Sequence, residues 1–315
     1  MENYILKNRL GHGSFGSVWE ATRKADGKTV AVKEIYYGTM DSSARKMIVN
    51  EVNILRKLKN PHIVRYIDRV VDRPNQKIYI IMEFCPGGDL QSLITKTRAN
   101  STYIREEQIW LVLTEMALAL QECHCGTDKI LHRDIKPGNI FIDSGGHIKL
   151  GDFGLARHLV DYARTMVGTP YYMSPELNAG KRYDEKSDIW ALGCTIYEMA
   201  ALRPPFTCMG EGDLKLHIRN DIVPRFSSRY SDSLWKIVSA MLEKNPERRP
   251  NVQQILECRN VAMCIKIDNA RKELEAIREK TAILKKNYEV LAKRDAELSR
   301  EKRKGGKVSE NVNFN

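Results

Sequence analysis

His132-Arg133-Asp134-Ile135-Lys136-Pro137-Gly138-Asn139 is followed, 18 residues after Asp134, by Asp152-Phe153-Gly154. Asn139 stands five positions beyond Asp134. One carboxylate can take a proton from an alcohol, while a carboxamide and a second carboxylate offer hard oxygens to a divalent cation. That combination suits phosphoryl transfer, which needs positioning and charge stabilisation more than covalent chemistry. A lone Asp is more often a loop cap. Chance supplies one such triplet easily, but rarely both in this order with apolar strands around them.

Upstream, Gly11-His12-Gly13-Ser14-Phe15-Gly16-Ser17-Val18 fits G-x-G-x-x-G-x-V. A dinucleotide site of similar pattern needs a helix directly after the last glycine and an acid about 20 residues on. Glu34 offers the acid, but Val18 to Lys33 reads as strand, turn, strand. Gly27-Lys28-Thr29 mimics the end of a P-loop, yet Thr22 sits where that motif requires glycine. Glycines in a hairpin instead let the backbone close over a triphosphate, with amides facing its oxygens.

The 315 residues suit a two-lobed domain with an extension. The formal charge is +11, and Lys266 to Lys307 alone holds 14 Lys/Arg against 8 Asp/Glu, a net +6. Such a stretch is a solvated helix face or a surface that attracts an acidic protein, nucleic acid or membrane. Seven scattered cysteines predict a reduced intracellular protein. Cys123-His124-Cys125 lacks the second ligand pair of a zinc site. The start Met1-Glu2-Asn3-Tyr4-Ile5-Leu6 is unlike a signal peptide, and Ile109 to Leu120, interrupted by Thr114 and Glu115, is too short to span a bilayer.

Residues 4 to 36 alternate like paired strands around an Asp26-Gly27 turn. Asp41-Ser42-Ser43 starts a helix carrying Ile48, Val52 and Leu55, which Asn60-Pro61 ends. A strand pair follows, ending at Ile78-Tyr79-Ile80-Ile81-Met82, with a hinge near Glu83-Phe84-Cys85. Beyond Pro86-Gly87-Gly88-Asp89, helical patterns dominate over 91–97, 105–124, 185–202 and 231–243. The expectation is an α+β, bilobal fold. A β-rich lobe covers 1–83 and a larger α-rich lobe 84–262; a coiled-coil helix over 263–304 and a disordered tail over 305–315 follow.

These strings resemble the eukaryotic protein kinase superfamily over residues 4 to about 258, and Lys136 gives the catalytic loop its serine/threonine form. The resemblance implies ATP with Mg²⁺, or Mn²⁺, as cofactors and protein Ser/Thr hydroxyls as acceptors. Asp134 is then the proton acceptor, Lys136 contacts the transferring phosphate, and Asn139 and Asp152 are metal ligands. Lys33, in Val30-Ala31-Val32-Lys33, holds phosphates and pairs with Glu51; the alternative for Glu51 is a surface acid paired with Lys46 or Lys57. Leu10, Gly11, Gly13, Gly16, Val18 and Ala31 form the nucleotide's roof and Phe141 its floor. Met82 is the gatekeeper, with backbone bonds from Glu83 and Cys85. Glu176 pairs with Arg249, Asp188 braces the catalytic loop, and Thr169 sits beside Asp134. Ser174 replaces alanine in the segment ending at Glu176, a mild departure because the glutamate is kept.

Leu150 to Arg157, Val167 to Glu176 and the helix close behind the domain resemble NIMA-related (Nek) kinases more narrowly. This implies roles in cell-cycle, mitotic, centrosomal or flagellar regulation, in cytoplasm or nucleus, at centrosome, spindle pole or cytoskeleton. Arg133 and Arg157 would clamp a phosphate on Thr165, a predicted autophosphorylation site; an unmodified loop is the alternative. In the last helix Ile277, Leu284, Leu291 and Leu298 recur as d positions, with Leu274, Thr281, Tyr288 and Asp295 at a. The flanks are mostly basic (Arg271, Arg278, Lys280, Lys285, Arg294). A parallel homodimer over 268–304 sets Lys280 against Lys285, partly offset by Glu273 against Arg278. Dimerisation would favour phosphorylation in trans by raising effective concentration. An acidic heteromeric partner, or packing on the kinase domain, is the other reading of this helix. A non-catalytic scaffold remains the alternative for the whole chain. A specific nucleic-acid role rests on net charge alone, and no membrane span is expected.

Overall fold

The computed structural model describes residues 1–13, 16–126, 129–152, 171–208 and 211–305. The chain divides into two units, Met1–Ala262 and Met263–Asn315. The first begins with β1 (Tyr4–Gly13), β2 (Gly16–Arg23), β3 (Thr29–Tyr36), β4 (Tyr66–Asp72) and β5 (Lys77–Glu83), joined as an antiparallel sheet in the order β1-β2-β3-β5-β4. Gly27 closes the β2–β3 connection at φ +70°, a left-handed geometry that favours glycine.

The period of two sorts β3 and β5 by face. Val30, Val32, Tyr79 and Ile81 cluster on one side. Ile35, Ile78 and Ile80 meet Ile48 and Val52 of α1 (Ser42–Lys57) on the other. Ala31 and Lys33 share the parity of Ile35, so they emerge on the α1 side.

After the sheet come α2 (Leu90–Ala99), α3 (Glu106–His124), a 3-10 turn (Pro137–Asn139), β6 (Ile140–Ile142) and β7 (Ile148–Leu150). Then follow α4 (Pro175–Asn178), α5 (Glu185–Ala201), α6 (Glu211–Asn220), α7 (Asp232–Met241) and α8 (Val252–Leu256). Asp89 caps α2 by accepting from the Ser92 amide at 2.7 Å, and Asp184 caps α5 in the same way. α3 and α5 are buried nearly all round and form the core of this lobe. Gly193 lets α5 approach α7, because a Cβ there would lie 2.9 Å from the Met241 Cβ.

The polar break at Glu115 has a tertiary reason. Its buried carboxylate accepts from the Ile148 amide at 2.8 Å and pairs with His147 Nδ1 at 2.6 Å, tying α3 to β7. Sequence periodicity did not reveal α4, α6 or α8, and the last helix, α9, runs Arg259–Gly305, against the 263–304 expected. Among the described residues no helix is long and apolar enough to cross a membrane.

Candidate active site

Between sheet and helices of the first unit lies a cleft of about 650 Å³. Leu10, Gly11, Gly16, Val18 and Ala31 line one wall, Met82, Glu83 and Cys85 the back, and Phe141 the opposite wall. Lys33, Asp134, Lys136, Asn139 and Asp152 converge at its polar end. Val64, Asp89 and Ser92 also line it, and local motifs gave no signal for them.

The glycine hairpin is shaped by Gly16 more than by Gly11. Gly13 pairs with Gly16 in the β1–β2 register. At Gly16, φ is +153° and a Cβ would fall 1.8 Å from the Glu34 carbonyl oxygen. At Gly11 a Cβ would meet nothing within 4 Å.

The back of the cleft is held by side chain and backbone together. The Glu83 amide donates to the Arg65 carbonyl at 3.0 Å and is thereby committed to the protein. The Glu83 carboxylate accepts from the Arg65 amide at 2.7 Å and pairs with Lys149 at 3.3 Å. Burial pushes the Cys85 thiol up to about 12, which makes it an apolar wall rather than a nucleophile.

The polar end is one connected network. Lys33 Nζ lies 2.6 Å from Asp152 Oδ1. Burial alone would raise the Asp152 pKa, but the Lys33 charge and hydrogen bond hold it below the usual carboxylate range. Lys136 Nζ donates to Asp134 Oδ2 at 2.8 Å. Asn139 Nδ2 donates to the Asp134 carbonyl at 2.7 Å and to its Oδ2 at 2.8 Å, which leaves Asn139 Oδ1 for another partner.

Behind this network is a buried scaffold. Burial lowers the His132 pKa and keeps the imidazole neutral. Its Nε2–H donates to the Gly151 carbonyl at 2.9 Å, and its Nδ1 accepts from the Asp134 amide at 3.3 Å. One ring thus ties Asp134 to the residue before Asp152. Asp188, fully buried, accepts from the amides of His132 and Arg133, each at 3.0 Å, from His124 Nε2 at 2.9 Å and from the Tyr183 hydroxyl. Burial favours the neutral acid, yet the His124 hydrogen bond holds the Asp188 pKa below its ordinary value. Arg133, at φ +68°, and Asp152, at φ +52°, occupy left-handed backbone that non-glycine residues rarely adopt.

Glu176 and Arg249 meet in a buried two-pronged pair, with contacts of 2.9 and 3.1 Å. Burial would raise the Glu176 pKa, but Arg249 keeps it low. Sequence reasoning missed His132, His124 and Tyr183: the two histidines reach partners 19 and 64 positions away, and Tyr183, five positions from Asp188, belongs to no motif. The Glu51 side chain and residues Arg157, Thr165 and Thr169 lie outside the described residues.

Residues 4–260 match the family model described as Protein kinase domain. The chain belongs to that family. Such a domain takes ATP and a divalent metal ion. Relatives of this kinase domain include the human serine/threonine-protein kinase Nek2, 47% identical over 280 residues, which cover 87% of this chain and 63% of Nek2. The G2-specific protein kinase fin1 of Schizosaccharomyces pombe is 35% identical over 334 residues, 98% of this chain and 45% of fin1. The G2-specific protein kinase nimA of Emericella nidulans is 34% identical over 334 residues, 95% of this chain and 48% of nimA. The kinase domain is therefore most like the NIMA-related kinases, and the chain spans less than two thirds of these relatives' length.

The residues present fit a nucleotide with its metal. The uncommitted Asn139 Oδ1 and Asp152 Oδ2 are hard oxygens at the polar end of an otherwise apolar cleft. Among the described residues there is no group of three or more His, Cys, Asp or Glu that could hold a metal ion.

Proposed function

We propose that this chain is an ATP-dependent serine/threonine protein kinase acting on protein substrates, with Mg²⁺ as its metal and Mn²⁺ as a substitute. The observation that carries the reading is the meeting of Lys33, Asp134, Lys136, Asn139 and Asp152 at one end of an apolar cleft. Bound ATP–metal supplies the γ-phosphoryl group and neutralises its developing charge. Asp134 accepts the hydrogen bond of the incoming hydroxyl and takes its proton as the new bond forms. Lys136, which donates to Asp134 at 2.8 Å, would contact the transferring phosphate. Asn139 and Asp152 hold the metal, and Lys33, steadied by Glu51, holds the nucleotide's phosphates.

Leu10, Val18, Ala31 and Phe141 sandwich the base, while the Glu83 carbonyl and Cys85 amide read its edge beside Met82. A phosphate on Thr165, clamped by Arg133 and Arg157, would activate the enzyme, with Thr169 fixing the loop near Asp134; Thr165→Ala retaining full activity would reject that switch. The lobes, 1–83 and 84–262, work as one catalytic domain, and the helix over 263–304 forms a homodimer. The words 'G2-specific protein kinase' in the names of fin1 and nimA support a cell-cycle role; a place in cytoplasm or nucleus, at a centrosome, spindle pole or the cytoskeleton, belongs to the same proposal. The test is peptide-array phosphorylation by purified protein beside Asp134→Asn. Equal signal from both proteins would remove the catalytic assignment.

A further inference from the structure

We propose that Glu115 of α3 is a positioning residue for Asp152, and that the charge on His147 sets how firmly it holds. This rests on the reading of Asp152 as a metal ligand given above. Asp152 stands two residues beyond β7, so that strand fixes where it lies. β7 has only three residues and pairs with β6 along one edge, too little to hold itself in place. The rest of its fastening comes from other segments. The Leu150 amide donates to the His62 carbonyl at 2.8 Å, and the Leu150 carbonyl accepts from the Val64 amide at 2.9 Å. The Gly151 amide donates to the Asn139 carbonyl at 2.9 Å.

The first residue of the strand is held by a side chain instead. The Ile148 amide donates to Glu115 Oε2 at 2.8 Å. The same oxygen lies 3.8 Å from His62 Nδ1, on the segment whose carbonyl holds Leu150. Asn60 ties that segment to α3 as well, its side-chain amide donating to the Leu118 carbonyl at 3.2 Å. One carboxylate on a buried helix thus registers β7 and its neighbour together. From Ile148 to Asp152 the chain runs about 13 Å at roughly 3.3 Å per residue, so a shift at the start of the strand passes along a short, stiff path to the metal-binding oxygens.

A buried carboxylate needs a compensating partner. The Glu115 side chain is 4% exposed and that of His147 44%. Histidine is the side chain whose charge changes near neutral pH, and its exposed edge lets His147 exchange protons with water. Its Nδ1–H donates to Glu115 Oε1 at 2.6 Å. With a second proton on Nε2 the contact becomes an ion pair, and charge-assisted bonds are the stronger kind. With a neutral ring, Glu115 has only neutral donors. Its charge then gains more from reaching the water that borders His147, and Ile148 is held less firmly. Two other titratable groups face this cluster. The His62 ring lies 6.4 Å from that of His147, and Asp143 Oδ1, in the β6–β7 turn, accepts from the Gly145 and His147 amides at 2.8 and 3.0 Å. A glutamine at 147 separates its part from theirs, because a carboxamide donates but does not titrate.

The test measures binding of a fluorescent ATP analogue to the full chain, in Mn²⁺ and in EDTA, at pH 6 and pH 8. In Glu115→Gln the side chain keeps one oxygen, which cannot serve both Ile148 and His147. Affinity in Mn²⁺ should then fall about fivefold at pH 6, and affinity in EDTA by less than about twofold, because only the metal-dependent part passes through Asp152. Equal losses in Mn²⁺ and EDTA would show a general loosening of the domain and overturn the proposal. His147→Gln should bind about threefold more weakly than the parent in Mn²⁺ at pH 6 and within about 1.5-fold of it at pH 8. The same ratio at both pH values overturns the role given to the His147 charge. Parent binding no tighter in Mn²⁺ than in EDTA overturns the metal-ligand reading of Asp152 itself. Tighter parent binding in Mn²⁺ with Glu115→Gln unchanged overturns this inference alone. If Glu115→Gln does not fold, His147→Gln, at a half-exposed position, decides by the same comparison of Mn²⁺ with EDTA.

Discussion

Asp188→Asn tests whether the buried carboxylate shapes the catalytic loop. Two oxygens of Asp188 receive four donors: the Arg133 amide and Tyr183 hydroxyl on Oδ1, the His132 amide and His124 Nε2 on Oδ2. Asparagine has one such oxygen. Its NH₂ is best placed toward His124, because the imidazole can switch tautomer and accept from it. The His132 amide is then buried against another donor. Orphaning a buried donor costs about 1–3 kcal/mol, and two further bonds lose their charge assistance, so the loss should be about 3 kcal/mol. For a domain of this size that lowers Tm by roughly 6–12 °C.

Arg133, held at φ +68°, should relax once its neighbour's amide is released, moving Asp134. A displacement near 1 Å costs about 100-fold in turnover. The assays are thermal unfolding and steady-state phosphorylation below the variant's Tm, where the protein is folded. Asp188→Asn with unchanged Tm and kcat would refute the reasoning. A lowered Tm with unchanged kcat would separate bracing from catalysis.

Gly16→Ala should weaken binding of a fluorescent ATP analogue by about tenfold, because its Cβ meets the Glu34 carbonyl in a backbone that disfavours side chains, whereas Gly11→Ala should stay within about twofold. Arg249→Met should lose about 3–5 kcal/mol in denaturant unfolding, since Glu176 would remain buried and charged without its partner. Stability should also fall in acid. The folded pKa values of Asp188 and Glu176 lie below their unfolded ones, so their contribution is full above roughly pH 4–5 and is lost as pH drops through the folded values. Unfolding free energy that stays flat from pH 6 to pH 3 would contradict this; the slope should shrink in Arg249→Met.

Much of the site was legible because its residues sit at fixed offsets on short local elements. Asp134, Lys136 and Asn139 share one loop and one 3-10 turn, so their spacing alone brings them together. The β2–β3 hairpin was equally local, announced by Asp26-Gly27. The scaffold behind them was not. His124 reaches Asp188 across 64 positions, and His132 reaches the Gly151 carbonyl across 19. Glu115 reads as a flaw in an apolar helix until β7 brings the Ile148 amide and His147 to it. Such contacts leave no periodicity in the chain.

The sequence by itself determined the chemistry: which carboxylates, amide and ammonium groups are present, in an order and spacing that suit phosphoryl transfer. It also determined the alternation that builds the sheet and the heptads of the last helix, because both patterns repeat within a few residues. Only the tertiary structure decided the state of those groups. Lys33 neutralises Asp152, His132 is held as one neutral tautomer, and Asp188 stays ionised in a dry interior. Ionisation and tautomer depend on burial and on partners within about 3 Å, and distant segments supply those only once the chain has folded.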